Sequence, residues 1–250
     1  MRRALTREVP WSFDRGLTTA TLGRADVKLA RQQHAAYVES LRAAGLEVHV
    51  LEADEGLPDS CFVEDTAVRI DDDLLVISSP GHPARAPEVQ AVERYLSHYF
   101  AHVVRIEPPG TLDGGDVLRL ENHFVIGLSE RTNPLGAAQL GEHIRSRGMT
   151  WQMQEVGEGL HLKSGCAYLG HDTVLCWPRF EKPFQKLGLK VLRVDDDSAN
   201  VVRLVRRLWV PAGFPRTSAM LRAHGFQVTE LAISEFRKQD GGLTCLSILY

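Results

Sequence analysis

The sequence predicts an α/β chain folded as a pseudo-symmetric ring of five units in one domain spanning residues 1–250. Three observations carry this. The order helix, strand, irregular link and two short strands returns along the chain, and a doubly wound sheet does not follow each helix with three strands. A glycine stands directly after four of the five expected helices, at Gly45, Gly148, Gly188 and Gly225, as a helix stop. The fifth copy ends at Tyr250 without its closing strand, and Arg2 to Arg7 can supply one and close the ring.

The first unit is a helix from Asp26 to Ala44 with Leu29, Ala30, Tyr37 and Leu41 at helical spacing. Strands Leu46 to Leu51, Phe62 to Ile70 and Leu74 to Ile77 follow, the last two joined by the turn Asp71-Asp72-Asp73. The second unit is predicted as helix Glu88 to Phe100, strand His102 to Ile106, the link Pro108 to Gly115, and strands Asp116 to Leu120 and Phe124 to Ile126. The third runs through helix Pro134 to Arg147 and strands Trp151 to Val156, Cys166 to Leu169 and Thr173 to Cys176. The fourth has a short helix from Lys182 to Leu187 and strands Lys190 to Val194, Asn200 to Leu204 and Leu208 to Val210. The fifth has helix Thr217 to His224, strand Phe226 to Leu231, and a terminal strand opening at Leu243. Arg131-Thr132-Asn133 and Arg216-Thr217-Ser218 precede the third and fifth helices and offer N-caps.

Composition narrows the function. A 250-residue chain with 44% hydrophobic residues is long enough for a large core, and a net charge of −3 points away from nucleic acid or an anionic membrane as partner. Four cysteines, Cys61, Cys166, Cys176 and Cys245, lack the spacing of a zinc ribbon or a disulfide framework. Reduced thiols in a cytoplasmic protein are the expectation. No targeting segment and no bilayer-length apolar run is visible, and neither GxGxxG nor a P-loop is present.

A ring gives the links a common address at its axis, where Glu64-Asp65, Asp113-Asp116, His161-Cys166, Asn200 and Cys245 would converge. That inventory of thiol, imidazole and carboxylates suits nucleophilic catalysis. Each member has a plainer reading. Cys245, after Gly241-Gly242, is either a small core hydrophobe or a nucleophile on a tight turn. Asp113-Gly114-Gly115 is also ordinary turn chemistry. At least one of Glu64 and Asp65 points inward, to an internal salt bridge or to a cationic ligand. His161 lies in an apolar, glycine-flanked link, whereas His34, His98, His143 and His224 fall on helix faces where solvent is the simplest partner.

Across nearly the whole chain the motifs stand in one order: Asp14-Arg15-Gly16-Leu17-Thr18, Pro58 to Asp65, Gly110 to Asp116, Gly127 to Asn133, Leu160-His161-Leu162-Lys163 and Asp240 to Cys245. In this the sequence resembles the dimethylarginine dimethylaminohydrolase family of the guanidine-modifying superfamily, which includes arginine deiminase. The resemblance implies a five-bladed α/β propeller, the pentein fold. It places the nucleophile on Cys245, the general acid/base on His161 and the supporting carboxylate on Asp113. Guanidinium contacts fall on Asp59, Glu64 and Asp65, contacts to the amino-acid end on Arg85 and Arg131, and a lid contact on Leu17. The implied reaction hydrolyses asymmetric dimethylarginine or monomethylarginine to citrulline and an amine, through an S-alkylthiouronium on Cys245. A guanidinium carbon is a poor electrophile, and a thiolate assisted by histidine answers that difficulty. No metal or organic cofactor is implied, and the expected partner is the small-molecule substrate, with a homodimer left open. The rival readings are an arginine deiminase-like hydrolase releasing ammonia, a non-catalytic binding module of the same fold, and an unrelated cysteine hydrolase of peptides.

Overall fold

The computed structural model describes residues 3–204 and 207–250, so Arg2, at the start of the expected N-terminal strand, lies outside the described residues. It contains five three-stranded sheets, each with one antiparallel and one parallel pairing about its middle strand. In the first, β1 (Arg3–Arg7) lies between β2 (Glu47–Leu51), parallel, and the last strand of the chain, Ile248–Leu249, antiparallel. Helix α1 (Val27–Ala43) joins β1 to β2, opened by the Asp26 carboxylate, which accepts the Leu29 N–H at 3.1 Å.

The second sheet is β3 (Ala67–Arg69), β4 (Leu74–Ile77) and β5 (His102–Arg105), with α2 (Val89–Leu96) before β5. The third is β6 (Val117–Leu120), β7 (His123–Leu128) and β8 (Thr150–Glu155), with α3 (Pro134–Ser146) capped by the Asn133 side chain. The fourth is β9 (Cys166–Gly170), β10 (Thr173–Cys176) and β11 (Lys190–Arg193), with α4 (Pro178–Lys186). The fifth is β12 (Val202–Leu204), β13 (Arg207–Pro211) and β14 (Gln227–Leu231), with α5 (Pro215–Ala223); a one-turn helix, α6 (Ser234–Arg237), follows. Strand β15 is the Ile248–Leu249 pair already placed in the first sheet.

Side-chain alternation explains how five small sheets become one body. Successive residues of a strand point to opposite faces, and here each pair feeds two different cores. Ala4 packs in the core between the fifth and first sheets and Leu5 in that between the first and second. The same split separates Ala67 from Val68, Val117 from Leu118, Cys166 from Ala167, and Val201 from Val202. Every sheet is thus buried on both faces. Each core is roofed by one helix: Tyr37 and Leu41 of α1, Val92 and Leu96 of α2, Leu140 and Ile144 of α3, Phe180 and Phe184 of α4, Leu221 of α5.

Several expected boundaries move. The strand expected over Phe62 to Ile70 opens as a 3-10 turn, Val63–Thr66, before β3, held by the Gly115 N–H on the Asp65 carboxylate, with Thr66 Oγ1 donating to the Val63 carbonyl at 2.7 Å. The helix expected over Glu88 to Phe100 stops at Leu96, preceded by a 3-10 turn, Pro83–Glu88. The terminal strand does not begin at Leu243; a 3-10 turn, Thr244–Leu246, intervenes. Thr217 and Ser218 do not cap the fifth helix but lie inside it, where Thr217 Oγ1 meets Ser198 Oγ at 2.7 Å. His34 is buried against expectation, and burial holds its pKa down to about 4. The glycines after helices fare as expected: Gly45, Gly148, Gly188 and Gly225 all have φ between 73° and 87°, a region costly for other residues. Among the described residues no helix is long and apolar enough to cross a membrane.

Ile126 in β7 is fully buried between the second and third sheets, under α3. Ile126→Ala is expected to lower unfolding free energy by about 2–5 kcal/mol, measured by urea denaturation. A loss below that range would show that this core is not closely packed.

Candidate active site

Each link ends in a 3-10 turn just before the first strand of its sheet: Val63–Thr66, Gly114–Asp116, Leu162–Ser164, Asp197–Ala199 and Thr244–Leu246. The candidate residues sit in these turns or beside them. Glu64 and Asp65 lie within the first, Asp113 and His161 immediately precede the second and third, Asn200 follows the fourth, and Cys245 lies within the fifth. Glycine permits the close approach. A Cβ on Gly115 would stand 2.7 Å from His161 Nδ1 and 2.8 Å from Asp65 Oδ1, and one on Gly242 would stand 2.5 Å from Asn200 Oδ1.

His161 is buried, and its Nε2 lies 3.0 Å from Asp113 Oδ2 and 4.0 Å from Asp65 Oδ1. Asp113 is itself buried and accepts the Gly81 N–H at 2.9 Å on its other oxygen. Burial disfavours an imidazolium here, but Asp65, the Asp113 hydrogen bond and Asp116 outweigh it and raise the His161 pKa to about 9. Asp65 shows the converse. Burial opposes its charge, yet His161, Arg85 at 2.7 Å and the Gly115 N–H at 2.8 Å hold its pKa down to about 2.

Asp116 is the residue that sequence reasoning placed near the axis without giving it a role. Its Oδ1 accepts the Leu162 N–H at 2.8 Å, fixing the backbone beside His161. Its Oδ2 accepts from Ser129 Oγ at 2.7 Å, and Ser129 Oγ in turn accepts the N–H groups of Arg131 and Thr132. One carboxylate therefore aligns both the imidazole and the turn that carries Arg131. Thr132 Oγ1 completes the link by accepting the Asp113 N–H at 3.1 Å.

Glu64 is joined to Lys163 Nζ at 2.6 Å and to Thr244 Oγ1 at 2.7 Å. Asn200 braces the same group, donating to the Lys163 carbonyl at 2.9 Å and accepting the Thr244 N–H at 2.9 Å. The next residue is Cys245, half-buried, whose Sγ accepts the Gly242 N–H at 3.4 Å. Burial, reinforced by Glu64 and Asp65, pushes its thiol up to about 12. Lys163 was not singled out from sequence, although its position two residues after His161 in an otherwise apolar link was a signal.

Cys245, His161, Leu160, Asp240 and Gly241 line two adjoining chambers. The inner one holds Leu17, Asp59, Asp65, Arg85 and Arg131; the outer, about 330 Å³, holds Glu64, Lys163 and the segment Thr19 to Leu22. That segment is tied across the mouth, since Thr18 Oγ1 donates to the Lys238 carbonyl and Thr19 N–H to Asp240. Asp59 accepts the Leu17 N–H on both oxygens, at 3.1 and 3.2 Å. Burial raises its pKa. Seven of the other residues singled out from sequence thus share a chamber with Cys245, and Asp113 joins them through His161.

Two of them differ in detail from expectation. Arg85 does not stand free for a ligand carboxylate: its guanidinium is bound to Asp65 at 2.7 Å, to Glu88 at 2.8–3.2 Å and to the Phe62 carbonyl at 3.1 Å. Asp59 belongs with Leu17 and Arg131 rather than with His161. By contrast, Arg131 makes no side-chain hydrogen bond or ion pair among the described residues. Asp65, Asp113 and His161 offer ligand atoms within 4.8 Å of one another, a spacing that a metal ion could bridge. Their atoms are already matched as donor and acceptors, which suits an imidazolium better than a cation competing for the same carboxylates.

The family model for eukaryotic N,N dimethylarginine dimethylhydrolase matches residues 21–182. The N(G),N(G)-dimethylarginine dimethylaminohydrolase of Pseudomonas aeruginosa is 34% identical over 239 residues, 94% of each chain. A cysteine-to-serine mutant of the Pseudomonas aeruginosa enzyme complexed with citrulline superposes with a TM-score of 0.95 at 33% identity, covering 99% of this chain and 98% of that one. A dimethylarginine dimethylaminohydrolase with histidine replaced by glycine, as its adduct with S-methyl-L-thiocitrulline, gives 0.95 and 33% over the full length of both. With that coverage and identity, the chain belongs to the dimethylarginine dimethylaminohydrolase family.

Proposed function

We propose that this chain, acting as one domain, hydrolyses asymmetric dimethylarginine and monomethylarginine to citrulline, releasing dimethylamine or methylamine. The observation that carries the reading is Cys245 opening into the same chambers as His161, with His161 bonded to Asp113 at 3.0 Å amid an excess of carboxylates. Citrulline bound to one similar structure and a thiocitrulline adduct in another support the product and the covalent route. Three free cysteines buried in the cores fit a reducing cytoplasm.

The substrate's cationic head lies by Asp65 and Glu64. Its ammonium lies by Asp59 and the Leu17 loop, and its carboxylate on Arg131, the guanidinium not already matched. Arg85 borders the amino-acid end and keeps Asp65 ionised. Bringing a guanidinium beside Cys245 supplies the positive charge that the free site withholds from the thiol. The thiol proton is then lost to solvent, His161 being already protonated, and Sγ attacks the guanidinium carbon. His161 donates its Nδ1 proton to the substituted nitrogen, since Nε2–H is held by Asp113. The carbon–nitrogen bond breaks and the amine departs, leaving the thiouronium on Cys245. Neutral His161 takes a proton from water as the oxygen adds to that carbon. The carbon–sulfur bond then breaks and the added hydroxyl loses its proton to solvent, restoring the thiolate and yielding the ureido group of citrulline.

Catalytic efficiency should be highest for the two methylated arginines, with arginine and agmatine poor, and Cys245→Ser should form no citrulline. Efficient ammonia release from arginine, with methylated arginines only inhibiting, would move the chain to the deiminase reading. In the pH profile of kcat/KM, the acid form of His161 is present below its raised pKa and lost above it, so the alkaline limb should fall near pH 9. Asp113→Asn removes a negative charge that raises this pKa and should move the limb downward; an unmoved limb in a folded variant would remove His161 as the acid. Gly115→Ala, which crowds His161 Nδ1 and Asp65, should lower kcat about 10²-fold and, by overpacking, unfolding free energy by about 1–3 kcal/mol. Unimpaired turnover would show that His161 is not held by this contact.

A further inference from the structure

The two arginines of the inner chamber are held in different ways. Arg85 is fixed through its guanidinium, by Asp65, Glu88 and the Phe62 carbonyl. Arg131 has no such tether among the described residues, so its place depends on the backbone that carries it. That backbone is clasped on two sides. Ser129 Oγ accepts the Arg131 N–H at 3.0 Å and the Thr132 N–H at 3.2 Å, and the Ser129 N–H donates to the Thr132 carbonyl at 3.1 Å. On the other side Gly81 lies against the Arg131 carbonyl with no room for a Cβ.

A serine that accepts from residues two and three places on is ordinary turn chemistry, and it leaves the hydroxyl proton unassigned. Here that proton goes to Asp116 Oδ2 at 2.7 Å, on a fully buried carboxylate whose other oxygen holds the Leu162 N–H. A hydroxyl has one proton and two lone pairs, so the whole capacity of Ser129 Oγ is in use and its direction is fixed. Asp113 adds a second tie to the same turn: its N–H donates to Thr132 Oγ1, and its Oδ1 accepts the Gly81 N–H. Both ties lead to His161, one through Leu162 and one through the Asp113 side chain.

We propose that Ser129 is a positioning residue for substrate selection, holding the Arg131 turn in fixed register with His161 so that a carboxylate on Arg131 places the guanidinium carbon at Cys245. The inference rests on the reading of Arg131 as the carboxylate site. Ser129 touches no substrate and acts through Arg131 and Asp116. Such register matters because a misplacement of about 1 Å can cost about 10²-fold in rate.

The test compares kcat/KM for asymmetric dimethylarginine with that for N,N-dimethylagmatine, which has the same head and no carboxylate, by dimethylamine release. Wild type, Ser129→Ala, Ser129→Thr and Arg131→Gln are used, with thermal unfolding to verify that each is folded. Ser129→Ala is expected to lower the ratio of the two efficiencies about tenfold, and Ser129→Thr, which keeps the hydroxyl, to hold it within about threefold of wild type. General loosening of the site would slow both substrates alike. An unchanged ratio in Ser129→Ala, or equal ratios in the alanine and threonine variants, overturns the proposal. Arg131→Gln should lower the ratio at least as far as Ser129→Ala; a wild-type ratio in that variant overturns the carboxylate reading of Arg131 and this inference with it.

Discussion

A single carboxylate near the axis, Glu64, holds the site together. It emerges from the turn before the second sheet, takes Lys163 from the turn before the fourth, and takes Thr244 from the turn before the last strand. Three segments distant in sequence are thereby fixed through one side chain. Burial, together with the neighbouring charge of Asp65, raises the Glu64 pKa, and Lys163 and Thr244 act against it. Removing either partner of such a pair leaves an uncompensated charge, a change that costs about 3–5 kcal/mol in buried pairs. Cys245 is the neighbour of Thr244, so the thiol's position depends on a contact that does none of the chemistry.

The neighbouring carboxylates divide the remaining work by what they touch. Asp113 bonds the imidazole directly, Asp65 stands 4.0 Å from it while paired to Arg85, and Asp116 holds the backbone that follows. Three acids acting on one histidine explain why a buried imidazole, which burial alone would leave neutral, has a raised pKa instead. Glu88, on the far side of Arg85, behaves differently. Burial outweighs its ion pair and lifts its pKa to about 7, whereas Asp65 on the same guanidinium stays well below the ordinary range. The difference lies in the second cation, His161, and the Gly115 N–H, both of which Asp65 has and Glu88 lacks.

What the sequence disclosed is what local chemistry determines. Helical periodicity and the glycine stops marked α1 and α3 to within one residue, because both depend on neighbours a few positions away. The 3-10 turns were missed because distant groups hold them: Asp65 accepts from Gly115, Thr244 from its backbone binds Asn200, and Leu162 binds Asp116. Phe62 to Ile70 therefore read as one strand when its first half is a turn. The site residues were identified through motif resemblance, and on local sequence alone Cys245, His161, Asp113 and the Glu64-Asp65 pair each kept a structural alternative. For Arg85 that alternative was partly visible, since Glu88 stands three residues on, where a side chain of the same turn can reach it. Its second partner, Asp65, comes from another unit and left no local trace.

The electrostatics of the ligand-free site carry a final consequence. Of the charged groups that act on the Cys245 thiol, Glu64 and Asp65 oppose its ionisation and Lys163 favours it. The excess is negative, and it opposes the Cys245 thiolate. A site that kept its cysteine ionised at rest would need positive charge beside the sulfur, and such charge would repel a cationic substrate. Here the same carboxylates that suppress the thiolate attract the guanidinium, and its arrival offsets the field that kept the proton on sulfur. In the proposed reaction, activation of Cys245 is thus coupled to binding a cation: a neutral amide could occupy the chamber without relieving that field. This physical asymmetry sets a guanidine-directed thiol apart from one built to cleave peptides.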